Sequence, residues 1–187
     1  MTSNLLAGPA EEPLALAEAK AWLRLDGDDE DALVATLVAA ARLHVESTSR
    51  RALIAQSWRL VLDRWPESRI VRLPVSPLLE VTSITAYDPD GVASDVSLED
   101  ITEGIAELIL PATLTTPMLR EHNGIAIDYV AGYAEAAAGV PDAVKQALKL
   151  LIAYWFEHRD TVFSIGEGPA TPLGFDALVA PYRTVRL

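Results

Sequence analysis

The sequence predicts an α+β protein: a helical bundle built on a long C-terminal helix, with a small antiparallel β-domain inserted into it. Three patterns carry this expectation. From Pro141 to Asp160 the apolar residues Val144, Ala147, Leu148, Leu151, Ile152 and Trp155 recur at the i, i+3, i+4, i+7 spacing of a helix with one buried face. Between Gln56 and Tyr133 the period changes to alternation, in short runs separated by turn residues. A second helical pattern, with the stripe Val34, Leu37, Val38, Ala41 and Val45, precedes the alternating part, so the β segment interrupts helical ones.

Taken in order, residues 1–13 have no periodicity and contain Gly8 and Pro9, which reads as a mobile arm. A short helix follows, with Leu16, Ala19 and Leu23 on one face and Trp22 beside them, ending near Leu25. Gly27 breaks it. Within the acidic run Asp26 to Asp31, Asp28 is placed to cap the next helix, and the remaining carboxylates suit the positive end of its dipole. That helix runs to about Ser49, and Ala39, Ala40 and Ala41 leave room for a neighbour to approach closely.

Six strands are expected in residues 56–133: around Trp58 to Leu62, Ile70 to Leu73, Val81 to Tyr87, Val92 to Leu98, Ala106 to Leu110 and Gly124 to Val130. Asp88-Pro89-Asp90-Gly91 has the composition of a turn, and Pro74 and Pro77 bracket a bend. The helical domain is then assigned to residues 14–55 and 134–160, with the β-domain at 56–133 between its two parts.

Pro141 suits the first turn of the next helix and Asp142 its dipole. From Leu150 to Phe156 every residue is apolar, so this helix needs partners on more than one side. Leu151, Ile152, Tyr154, Trp155 and Phe156 are accordingly read as core or subunit contact, with a ligand pocket as the weaker use of the three aromatic residues. Residues 161–187 read as a loop with Gly166 and Gly168, a short helix carrying Phe175, Leu178 and Val179, and an extended tail. Pro181 stops the helix, and Tyr182 to Leu187 follow it with Arg183 and Arg186 as their charges.

Composition narrows the function. With 50% hydrophobic and 22% charged residues the chain can bury a core, and without cysteine it has no disulfide, thiolate nucleophile or thiolate metal site. No basic leader or apolar run of membrane length is visible, so neither export nor membrane insertion is expected. A net charge of -12 argues against a surface that grips a phosphate backbone. The acidity is uneven: residues 141–187 hold 5 acidic and 5 basic side chains, and no acid follows Asp176.

No chemistry-bearing motif survives inspection. The acidic run fails as a calcium loop because Asp31 and Leu37 stand where glycine and a bidentate glutamate are needed. His44, His122 and His158 have no metal-ligand spacing, Gly166-Glu167-Gly168-Pro169 lacks the later glycine and lysine of a phosphate loop, and no Gly-x-Ser-x-Gly elbow occurs. The sequence therefore points to no catalytic, cofactor-binding or metal-binding residue.

The order of the pieces resembles the head-tail connector (adaptor) proteins of tailed phages and of phage-derived gene transfer agents. The resemblance rests on several stretches in sequence: Leu16 to Arg24, the Asp26 to Asp31 run, the alanine-rich second helix, the Leu73 to Val81 bend, Tyr129-Val130-Ala131-Gly132-Tyr133, Val140-Pro141, and Pro181-Tyr182-Arg183. It covers Leu14 to Arg183. It implies a structural protein without enzymatic activity or cofactor: a ring, usually a dodecamer, between the portal and the stopper or tail, with DNA passing through its channel. It also implies assembly in the host cytoplasm, a final place in the neck of the particle, and no membrane partner. Docking on the portal would fall to Phe175, Leu178, Val179, Tyr182, Arg183, Val185, Arg186 and Leu187. The competing class is a small soluble enzyme or ligand-binding domain with a pocket between sheet and helices.

Overall fold

The computed structural model describes residues 1–115, 117–158 and 171–183. The chain forms two compact units, each assembled from two stretches: Met1–Ala10 with Ala55–Tyr133, and Glu11–Ile54 with Ala134–Leu187.

The first unit holds eight strands: β1 (Thr2–Ala7), β2 (Gln56–Leu62), β3 (Ile70–Arg72), β4 (Leu78–Tyr87), β5 (Ala93–Asp95), β6 (Thr102–Glu103), β7 (Glu107–Ile109) and β8 (Ile125–Ala131). They make a five-stranded sheet in the order β1-β2-β8-β4-β5 and a three-stranded sheet in the order β3-β7-β6, antiparallel throughout. Register follows the apolar alternation: Leu60 of β2 and Ile84 of β4 both lie opposite Ile127 of β8, so three fully buried side chains line up on one face. Strand β4 departs from strict alternation because its register with β8 shifts between Leu78 and Glu80 and again between Val81 and Ser83. Each bulge adds a residue, which lets Val81 and Ile84, an odd number of positions apart, both point inward.

Two loops are fixed by their residues. In the turn from Asp88 to Val92, Asp88 Oδ1 accepts hydrogen bonds from the Asp90 and Val92 amides at 3.0 and 2.8 Å, while Gly91 takes the positive φ of 81°. Before β8, Gly124 passes so close to its surroundings that a Cβ there would lie 2.9 Å from the Asp63 carbonyl oxygen and 3.0 Å from that of Arg120.

The second unit holds α1 (Leu16–Leu23), α2 (Asp31–Ser49), α3 (Asp142–Glu157) and α4 (Phe175–Val179). In α2 the buried side chains are Val34, Val38, Ala41, Val45 and Ser49; in α3 they are Val144, Ala147, Leu148, Leu151, Ile152 and Trp155. Helix α2 packs on both α1 and α3. Charges on the flanks tie the pieces together. Lys149 of α3 reaches Glu18 of α1 at 2.7 Å, and Arg42 of α2 holds both Glu12 at 2.8 Å and Glu46 at 2.9 Å. Burial opposes the charge on Arg42, but the two glutamates outweigh it and raise its pKa.

The architecture corrects several expectations. The described residues contain four α-helices of 8, 19, 16 and 5 residues beside eight strands in two sheets. The fold is therefore β-rich, and a helical bundle built on a long C-terminal helix is not what the chain forms. An apolar run shows that a segment is wrapped on several sides but not how far it extends: the helical backbone ends at Glu157, with His158 at φ -114° and ψ 50°. The segment expected as a mobile arm supplies β1, whose residues Thr2 to Leu5 pair with Val61 to Trp58. Asp28 does not cap α2, which begins without a side-chain cap; Asp28 and Asp31 instead hold the Lys20 ammonium at 3.0 and 2.5 Å. Those two hydrogen bonds, Asp31 first, raise the Lys20 pKa.

Candidate interaction surface

The described end of the chain is fastened to the helical unit through an imidazole. His44 lies on the flank of the buried stripe of α2, and its ring meets Trp155 of α3 edge to face at 5.8 Å and Phe175 of α4 at 5.5 Å. One polar side chain thus joins three helices. Its Nε2 is buried and has no hydrogen-bond partner among the described residues. Burial lowers the His44 pKa, the nearby Arg183 lowers it further, and Asp176 acts against both.

Polar contacts complete the attachment. Gly174, at a φ of 88°, lets the chain turn into α4; Asp176 in the first turn of that helix pairs with Arg183 at 2.5 Å. Arg51 Nε donates to the Tyr182 carbonyl oxygen at 3.1 Å. Ala180 to Tyr182 form a 3-10 turn containing Pro181. Proline does stop α4, but the chain curls for one more turn rather than extending from Tyr182, because a 3-10 turn tolerates proline in its first positions.

The residues expected to dock on the portal therefore divide. Phe175 and Val179 are fully buried in the helical unit, while Leu178, Tyr182 and Arg183 are half-exposed. Val185, Arg186 and Leu187 lie outside the described residues, as do residues 161–170 of the loop expected at 161–171. Of the residues read as core or subunit contact, Leu151, Ile152 and Trp155 are buried, whereas Tyr154 and Phe156 are half-buried. Tyr154 stacks on His158 one turn later, with centroids 4.4 Å apart. Sequence alone does not single out His44 or Arg51 as contacts of the terminal segment. His44 follows Ala41 by three positions, beside the apolar stripe, and that spacing was the available signal.

Among the described residues no three His, Asp or Glu side chains gather as they would around a metal ion, and no helix is long and apolar enough to cross a membrane. What the unit presents is a packed helical surface with a short terminal helix clasped to it.

The chain belongs to the head completion protein family, whose model matches residues 14–171. Its fold is similar to that of a chain in the neck of an empty gene transfer agent particle computed with C6 symmetry, with a TM-score of 0.83 and 28% identity over 100% of this chain and 97% of that one. A chain in the virion of a native gene transfer agent particle matches with a TM-score of 0.80 and 28% identity, and one in a native neck computed with C12 symmetry with 0.76 and 25%, both at the same coverage. No curated protein matches the chain.

Proposed function

We propose that this chain is a structural head-to-tail adaptor in the neck of a gene transfer agent particle. The observation that carries the reading is the whole-chain similarity to neck components, which extends through both units rather than one. Copies form a ring of twelve, in keeping with the twelvefold symmetry of one similar neck, and leave a channel through which DNA passes. An acidic chain suits such a channel because like charge keeps the polyanion from adhering. The protein acts without catalysis: its work is to join the portal to the stopper or tail after assembly in the cytoplasm.

Portal docking falls to the outer surface of the terminal segment. Phe175 and Val179 anchor that segment from within, leaving Leu178, Tyr182 and Arg183, with Val185, Arg186 and Leu187, to meet the partner. Electron microscopy of particles carrying a labelled chain tests the reading. Label at the neck in a ring is the expected result; label elsewhere, or as a single copy, would refute it.

A further inference from the structure

On the outer face of the five-stranded sheet, Asn4, Arg59, Tyr87, Arg120 and Asn123 line a cleft of about 410 Å³. Two arginines stand in it, in different states. Arg59 is bound bidentately to Asp128 through Nε and Nη2, both at 2.6 Å, and this pairing is the main cause of its raised pKa. Its charge is spent within the sheet. Arg120 has no carboxylate partner among the described residues. Its guanidinium lies over the Tyr87 ring, 4.3 Å from the centroid, and its Nε and Nη2 both donate to the Asn123 carbonyl oxygen, at 3.0 and 2.7 Å.

The support behind Arg120 is itself anchored. Asn123, at a positive φ of 54°, donates its amide to Asp63 Oδ1 at 2.8 Å, and the Arg120 amide donates to the Tyr87 carbonyl oxygen at 3.0 Å. The guanidinium is thus held in place on one edge, and its Nη1 donors remain for an oxygen ligand. An arginine already fixed in position loses little rotamer freedom when a carboxylate arrives.

The other unit supplies a matching group. The turn between α1 and α2 carries Asp26 and Asp29, both exposed and neither paired with a cation among the described residues, while the neighbouring Asp28 and Asp31 are occupied by Lys20. We infer that the Arg120 cleft of one copy receives the Asp26–Glu30 turn of the next copy. The two patches differ and lie on different units, so the contact is heterologous, the kind that repeats head to tail and closes into rings. Duplex DNA, the other source of anionic oxygens, is disfavoured by the net charge of -12.

This rests on the adaptor reading and has its own test. Self-association of the full-length chain is followed by sedimentation at low salt for the wild type, Arg120→Glu, the double variant Asp26→Arg with Asp29→Arg, and an equimolar mixture of the two variants. Each variant alone should associate roughly 10-fold or more weakly, as expected for a lost charge pair facing a like charge. The mixture should recover, because alternating copies again pair opposite charges at every contact. Wild-type association by Arg120→Glu, a wild type that stays monomeric, or a mixture that stays dissociated would overturn the inference. So would binding of duplex DNA by the wild type that Arg120→Glu abolishes. None of these results alters where the labelled chain sits in particles, so the adaptor reading stands or falls separately.

Discussion

His44 and Trp155 meet edge to face at 5.8 Å, and the same imidazole touches Phe175 on another side. A titratable ring therefore occupies a place in which an aromatic hydrocarbon would serve for packing. Because its folded pKa lies below the ordinary 6.5, the unfolded chain takes up a proton between the two values that the folded chain does not. Stability from this site is thus complete above about pH 6.5 and declines as the pH falls through that window. The facing charges are Arg183, which deepens the effect, and Asp176, which opposes it. Denaturant midpoints measured from pH 8 to pH 5 should fall toward acid, with a flatter profile in His44→Phe; parallel profiles would show that His44 carries none of the slope.

Trp155 is 4% exposed and packs against His44 between α3 and α2. Trp155→Ala leaves a cavity that neighbouring helices can only partly close, at a cost of about 3–5 kcal/mol. Equilibrium denaturation checks this, and an unchanged midpoint would mean that the helix does not organise its unit.

Gly124→Ala should also destabilise, for the opposite reason. The new methyl meets two carbonyl oxygens, those of Asp63 and Arg120, at 3.0 Å or less, and backbone atoms cannot swing aside as a side chain can. A loss of about 1–3 kcal/mol is expected from such overpacking. Thermal melts of the variant beside the wild type measure it, and Gly124→Ala should lower the melting temperature.

Truncation separates anchoring from docking in the terminal segment. A chain ending at Arg183 keeps Phe175, Val179 and the Arg183–Asp176 pair, so its melting temperature should match the full chain while portal capture is lost. A chain ending at Leu173 loses two buried side chains and should melt lower. Portal pull-down beside calorimetry distinguishes the cases; retained capture by the first truncation would place docking on Leu178, Tyr182 or elsewhere in the body.

What the sequence discloses depends on whether the signal is local. The six buried positions of α3 are those that recur at helical spacing, because a single face repeated over four turns leaves an unambiguous period. Strand β1 shows the converse. Thr2-Ser3-Asn4-Leu5-Leu6-Ala7 neither alternates nor favours a strand strongly, and its extended form is set by pairing with β2, from Thr2 opposite Val61 to Ala7 opposite Ser57, far along the chain. The acidic turn misleads for a similar reason. Asp28 has the composition of a cap, but Lys20 on the preceding helix competes for its carboxylate, and that competition appears only once α1 and α2 are placed together. At the terminal segment, Phe175 reads as available for a partner because nothing in the linear chain announces that His44 of α2 lies against it.

The sheet order β1-β2-β8-β4-β5 puts the last strand to be synthesised in the middle. Until the ribosome has released Ala131, β2 and β4 lack the strand that joins them, and β1 and β5 are attached only to separate halves. The helical unit waits likewise for α3, which ends at Glu157. The β unit can close once Ala131 has emerged, whereas the helical unit must wait for α3, so the nascent protein carries open strand edges and an α2 without α3 through most of its translation. Such a chain closes late, the sheet first and the helices after it, and the interval before closure is when it is most exposed to aggregation or to capture by a chaperone.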